Sequence, residues 1–158
     1  NKKLFSWKKV NKNDLVEILN IKSDTRFEEI RDNALIGKVD KINKLLSETD
    51  LLSEDSFFYL NNINYRILNL IEIQKNNKIL NNYENALENF KPQIFWKDKP
   101  MYVLQLKKWS IEKLNKIAQK ICQTEILMKK NSNINKNIVI KKLVVSLSKE
   151  ASTSYYSS

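Results

Sequence analysis

The chain has no histidine, one glycine, two prolines and one cysteine among its 158 residues. Without histidine, the usual general base near neutral pH and the commonest nitrogen ligand for metals are both missing. A zinc site would need several sulfurs or imidazoles that this chain does not have. The single glycine, Gly37, forbids the phosphate-cradling G-x-x-x-x-G-K-S/T loop, the dinucleotide G-x-G-x-x-G turn and the G-x-S-x-G elbow. The chain is therefore expected to be no enzyme by itself, with no catalytic residue, no metal and no cofactor. Lone Cys122 cannot form an internal disulfide, which fits a reducing cytosol. Its neighbours Ile117, Ile121 and Ile126 mark it as a small buried hydrophobe rather than a nucleophile. No apolar run reaches the ~18 residues of a membrane span, and no apolar signal core follows the basic start NKKLFSWKKV. No membrane partner is expected, and the expected location is cytoplasmic. An initiator Met is also absent, so the chain is expected to be a piece of something longer.

What is present suits one globular domain: 42% hydrophobic and 29% charged residues. The net charge of +10 is unevenly spread, at +3 over 1–24, −3 over 25–90 and +10 over 91–158. Such asymmetry suits an anion-facing surface. A second reading is compositional, since Lys, Asn and Ile are what AT-rich codons supply. Of 28 basic residues only Arg26, Arg31 and Arg66 are arginine, the residue that phosphate and base readers favour for its fork.

Nearly every segment has helical period, and the expected fold is all-α, a bundle of about six or seven helices. Asp14 is positioned to cap a short helix over Leu15–Leu19, and Asp24 a second over about Thr25–Ile36 with Phe27, Ile30, Ala34 and either Leu35 or Ile36 on one side. Gly37 ends it, where a left-handed residue costs least. Val39, Ile42, Leu45 and Leu46 predict a helix antiparallel to the previous one. Ser53 would cap a long helix over about Glu54–Lys75, with Phe57, Leu60, Asn64, Ile67, Leu68 and Ile71 as its stripe. Arg66, beside that stripe, is read as an interface contact or as a solvated side chain. NNKILNNYEN reads as a polar connection before a short helix at Ala86–Phe90. Met101, Leu104 and Lys108 beside Trp109 continue the pattern. Ser110 caps a helix over Ile111–Lys130 whose line is Leu114, Ile117, Ala118, Ile121, Cys122, Glu125 and Met128. A last helix is expected over Lys136–Lys149, although IVIKKLVV has strand propensity. The tail 151–158, ASTSYYSS, reads as disordered.

The stretch KPQIFWKDKP holds both prolines and, with Trp109 just beyond, two of three tryptophans. Pro92 and Pro100 cannot sit in helix interiors, so they bracket a structural break, with Pro100 suited to the first turn of the next helix. Ile94, Phe95 and Trp96 are expected to plug the gap there. Aromatics between lysines are also the makings of a platform for stacking single-stranded bases.

PQIFWKDK, QLKKWSIEKL and TEILMKKN together resemble the C-terminal domain of the bacterial DNA polymerase III delta subunit, the HolA-type clamp-loader protein. The residues in step are Pro92, Ile94, Phe95, Trp96, Lys97 and Lys99; Lys107, Lys108, Trp109, Ser110, Glu112 and Leu114; then Glu125 and Lys129. FEEIRDNALIGKVDKINKLL resembles the family's Asp-Ala-Leu-x-Gly-Asp helix pair through Ala34, Leu35, Gly37 and Asp40, and Arg66 falls where the family often has Arg before Leu-Leu. The likeness runs over about 13–150. Asn131 departs from the family's usual Gly, and the two N-terminal ATPase-like modules are absent. The resemblance implies a remnant of the preceding lid module or a linker at 1–22, a helical collar domain at 23–150, and a role in DNA replication. Such a collar holds its subunit in the ring that loads the sliding clamp.

The partners implied are gamma/tau and delta-prime, with the clamp itself reached only through the absent modules. The parent complex polymerises DNA, but no residue here is assigned to that chemistry. The candidate subunit interface is Arg66, Leu114, Ile117, Ile121, Ile126 and Leu127. The alternative is a basic DNA-binding module whose candidate DNA-facing residues are Lys107, Lys108, Lys113, Lys116 and Lys120. Both depend on apolar stripes or lysines left on the surface after the bundle closes.

Overall fold

Phe27, Ile30, Ala34 and Leu35 recur at helical spacing, and each is fully buried on the inner face of the first helix. The computed structural model describes residues 12–154. Among them are seven α-helices and no strand: α1 (Lys12–Leu35), α2 (Val39–Glu48), α3 (Ser56–Leu80), α4 (Tyr83–Asn89), α5 (Lys99–Lys108), α6 (Ile111–Lys130) and α7 (Lys136–Thr153). The all-α bundle expected from the periodicity is the fold observed, and IVIKKLVV is helical within α7.

The helix α3 is the axis. Leu60, Ile63, Ile67, Leu70 and Ile73 are all at most 1% exposed along it. It packs most extensively on α6, while α7 packs on α1 and α2. The α6 line Leu114, Ile117, Ile121 and Met128 meets α3, and Ile140, Val144 and Leu147 of α7 complete the core. Each such side chain, taken fully out of water, stabilises the fold by about 1.5–3 kcal/mol.

Several local expectations are corrected. The helix α1 runs unbroken through Asp24, so the cap there and the boundary after residue 22 fall inside one helix. Residues 1–11 of the expected remnant lie outside the described residues. Ser53 opens a 3₁₀ turn, Ser53–Asp55, rather than capping α3, which continues to Leu80 through the stretch read as a connection. Asn81 ends it at φ 48°, a left-handed position that asparagine tolerates. Asn82 then caps α4, its side chain accepting from the Glu84 amide at 2.8 Å. Ser110 caps α6 as expected, accepting from the Lys113 amide at 3.3 Å. Part of the expected disordered tail is ordered: α7 extends to Thr153, and buried Ser154 accepts a hydrogen bond from Lys113 Nζ at 2.6 Å. Residues 155–158 lie outside the described residues. Cys122 is exposed, because the inward line of α6 passes through Ile121 and leaves its neighbour outside.

The break at 90–98 is filled differently from expectation. Phe90, Ile94 and Trp109 are buried, whereas Phe95 and Trp96 are 58% and 68% exposed. Pro92 follows a cis peptide bond, and Pro100 lies in the first turn of α5. In α5 the buried residues are Tyr102, Gln105 and Leu106, and Leu104 faces out, one residue out of phase with the apolar pattern.

Gly37 turns α1 into α2 with φ +81°, and the two helices run antiparallel, with Lys41 Nζ 3.3 Å from Glu29 Oε1. The same glycine lets α7 approach. A Cβ on it would sit 2.6 Å from the Ser152 nitrogen and 2.7 Å from the Ser152 Cα. Those atoms are backbone and cannot rotate away. Gly37→Ala is expected to lower unfolding free energy in urea by about 2–4 kcal/mol, from left-handed strain plus overlap. Gly37→Asn tolerates the dihedral but meets the same backbone, so it should remain destabilised. Wild-type stability for the asparagine variant would show that α7 does not come this close.

Candidate functional site

A polar seam runs through the centre of the bundle and absorbs the residue that stood out most in the sequence. Arg66 is 6% exposed. Its Nη1 donates to Gln105 Oε1 at 3.0 Å and lies 3.3 Å from Asp32 Oδ1. Its guanidinium carbon sits 4.0 Å from the centre of the Tyr102 ring, a cation–π arrangement. Asp32 also accepts from Arg31 Nε at 2.9 Å and from Gln105 Nε2 at 3.2 Å, while Arg31 Nη1 donates to Asn62 Oδ1 at 2.7 Å. Two guanidinium groups thus share one carboxylate. Desolvation, followed by the neighbouring Arg31 charge, pushes the Arg66 pKa down from its ordinary value, and Asp32 opposes that shift.

The seam continues toward the helix ends. Asn69 Nδ2 donates to the Tyr102 hydroxyl at 3.2 Å, and Gln74 Nε2 donates to the carbonyls of Leu106 and Trp109 at 2.9 and 2.8 Å. The fully buried Trp109 indole donates to the Leu35 carbonyl at 2.8 Å, satisfying an acceptor at the C-terminus of α1. The side chains of this seam bond to one another across α1, α3 and α5. Among the described residues no group of three His, Cys, Asp or Glu side chains is placed to hold a metal ion, and no helix is long and apolar enough to cross a membrane.

The expected interface residues separate into two groups. Arg66 is neither at an interface nor solvated, because the seam encloses it. Leu114, Ile117 and Ile121 are at most 2% exposed, covered by the chain's own core rather than held out for a neighbour. Ile126 and Leu127 remain on the surface, 47% and 44% exposed. Of the expected DNA-facing lysines, Lys107, Lys116 and Lys120 are exposed and Lys108 and Lys113 half-buried. Lys120 Nζ donates to Ser146 Oγ at 2.6 Å, and Lys113 to Ser154.

Apolar side chains reach the surface in three regions. Phe58, Tyr65 and Leu68 share the outer face of α3. Leu87, Trp96, Pro100, Val103 and Leu104 line a cleft of about 530 Å³ between α4 and α5, edged by Glu84, Glu88 and Lys99. The third lies along α6 and α7, around Leu127 and Ile138. The signal for the second was present in the sequence: a tryptophan placed in a proline-bracketed loop has no helix to turn it inward.

A scan against protein-family models, a search of curated proteins and a search of solved structures each return no match.

The seam sets a coupling that can be measured. Asp32→Ala leaves two arginines facing each other without a counter-charge, and should cost about 2–3 kcal/mol, discounted because Asp32 is itself 20% exposed. In an Arg66→Met background the same substitution should cost at least about 1 kcal/mol less. A double-mutant cycle in urea checks this, and strict additivity would mean that Asp32 and Arg66 do not interact.

Proposed function

We propose that this chain is a non-catalytic assembly module, the collar-type helical domain of a bacterial clamp-loader delta subunit. In this reading it holds its subunit beside gamma/tau and delta-prime in the ring that places the sliding clamp on DNA. The observation that carries the reading is the pair of apolar surfaces, the α3 face and the α4–α5 cleft, which share no residue. A ring member touches a neighbour on each side and needs two such surfaces, whereas a monomer exposing Trp96 and Leu104 together gains nothing from them. The collinear motifs support it as well. They meet in space, since Trp109 of one motif bonds Leu35 of another. The likeness therefore bears on residues that hold the helices together, which is what a shared collar architecture would require.

A second reading, contact with DNA phosphates, is favoured by the excess of +10 within 91–158 and by exposed Lys107, Lys116 and Lys120. It requires affinity that falls steeply with salt.

Sedimentation velocity of the chain mixed with gamma/tau and delta-prime proteins distinguishes the two. Heteromer formation is expected, weakened at least about tenfold by Trp96→Asp or Leu68→Asp with unchanged helicity. A chain that stays monomeric in an excess of both proteins, yet binds duplex DNA with a steep salt slope, would overturn the assembly reading.

A further inference from the structure

The helix α7 has two distinct faces. Ile140, Leu143, Val144, Leu147 and Ala151 point into the core. On the opposite side Ile138, Lys141, Lys142, Val145, Ser146 and Lys149 line a shallow groove of about 450 Å³. Their spacing of three and four residues is one helical stripe. Ile138 is 49% exposed there, although a solvated face has no need of isoleucine and valine between its lysines. A second cleft, of about 460 Å³, shares Lys142 and Ser146 with the first and crosses to α6. Leu127, Ile134, Val139 and Leu143 give it an apolar floor, and Lys120 and Lys142 stand at its edge. Neither cleft is lined by a carboxylate. The α4–α5 cleft differs, having Glu84 and Glu88 at its rim.

We infer that the α6–α7 face is a docking groove for an acidic amphipathic helix of a partner protein. The chemistry selects that occupant in two steps. An apolar floor interrupted by the ridges of a helix is filled best by the apolar stripe of another helix, which interdigitates with residues spaced three and four apart. A rim of one sign, four lysines with no lining carboxylate, selects the opposite charge on the flanks of that stripe. A nucleic acid backbone would meet the lysines but leave Leu127, Ile138 and Val139 against its sugars and phosphates. The groove also presents no aromatic ring on which a base would stack. The inference rests on the two clefts and not on the clamp-loader reading, so either can fail while the other stands.

The test uses a peptide of about 18 residues, five helical turns, with leucines at i, i+3, i+4 and i+7 and glutamates elsewhere. Its twin carries lysine in place of each glutamate. Titrated into the ¹⁵N-labelled chain, the acidic peptide should bind and shift the amides of Leu127, Ile138, Lys142 and Ser146. Leu127→Ser and Lys142→Glu, both at exposed positions, should weaken it at least about tenfold and about fivefold respectively, with unchanged melting temperature. The groove assignment is overturned by no binding at about 1 mM peptide, by equal binding of the lysine twin, or by shifts confined to the α4–α5 cleft. It is equally overturned if a duplex oligonucleotide or a phosphatidylglycerol vesicle displaces the peptide and binds more tightly, or if the free chain dimerises through these residues.

Discussion

A guanidinium removed from water between two helices is the constraint on which the rest of the bundle depends. Leaving Arg66 unpaired in the interior would cost several kcal/mol, comparable with a large part of a small domain's net stability. Its partners are therefore not optional, and they come from two other helices: Asp32 from α1, Gln105 and the Tyr102 ring from α5. Apolar packing alone would let α5 slide or rotate against α3 at modest cost, because one leucine contact is much like another. A fork that must meet one carboxylate, one amide and one ring face has far fewer solutions. Gln74 extends the same logic by taking two carbonyls at the end of α5, and Trp109 by closing the end of α1. Hydrophobic burial supplies most of the stabilising free energy here, while the seam selects the register in which it is gained.

That division explains which parts of the fold were legible in the sequence. The face Phe27–Leu35, the turn at Gly37, the Ser110 cap and the α6 line Leu114, Ile117, Ile121 and Met128 all follow from apolar periodicity or backbone permissiveness. The phase of α5 did not, because two of its buried positions are Tyr102 and Gln105, which a hydrophobicity pattern counts as surface. Arg66 was misplaced for the same reason: burial of a charge depends on partners far away in sequence, Asp32 and Gln105, that no local window contains. Trp96 failed in the opposite direction. Size and aromaticity favour burial on average, but the loop that carries it buries Ile94 instead. Asn81 and Asn82 ended α3 later and began α4 earlier than polarity suggested, since asparagine serves both a left-handed cap and an N-cap.

The candidate surfaces were legible in composition but not in location. An apolar stripe wider than one face was visible on α6, and the surplus is real at Ile126 and Leu127. Which members of the stripe remained outside depended on where α3 crosses α6, a tertiary fact. Lysine clustering was likewise visible, while the role of individual lysines was not. Lys113 and Lys120 tie α6 to α7 through Ser154 and Ser146, so part of the basic charge is engaged in holding two helices side by side.

Those ties matter for what the α6–α7 face can do. Its α7 half is fixed at one end where Ser152 rests against Gly37 and near the other where Asn137 Nδ2 donates to the Leu51 carbonyl. A face held in this way loses little conformational freedom when something lies along it, so less of the interaction is offset by ordering. The long lysine side chains at its edge lie at the surface, and a charge pair formed by such a group contributes at most about 1 kcal/mol. Their collective field acts earlier, on the encounter, by drawing in and orienting an anionic surface. Most of the affinity on this face must then come from Leu127, Ile138 and the floor beneath them. The large positive charge of the C-terminal half and its few exposed aliphatic side chains are in that sense complementary parts of one surface, the first governing arrival and the second residence.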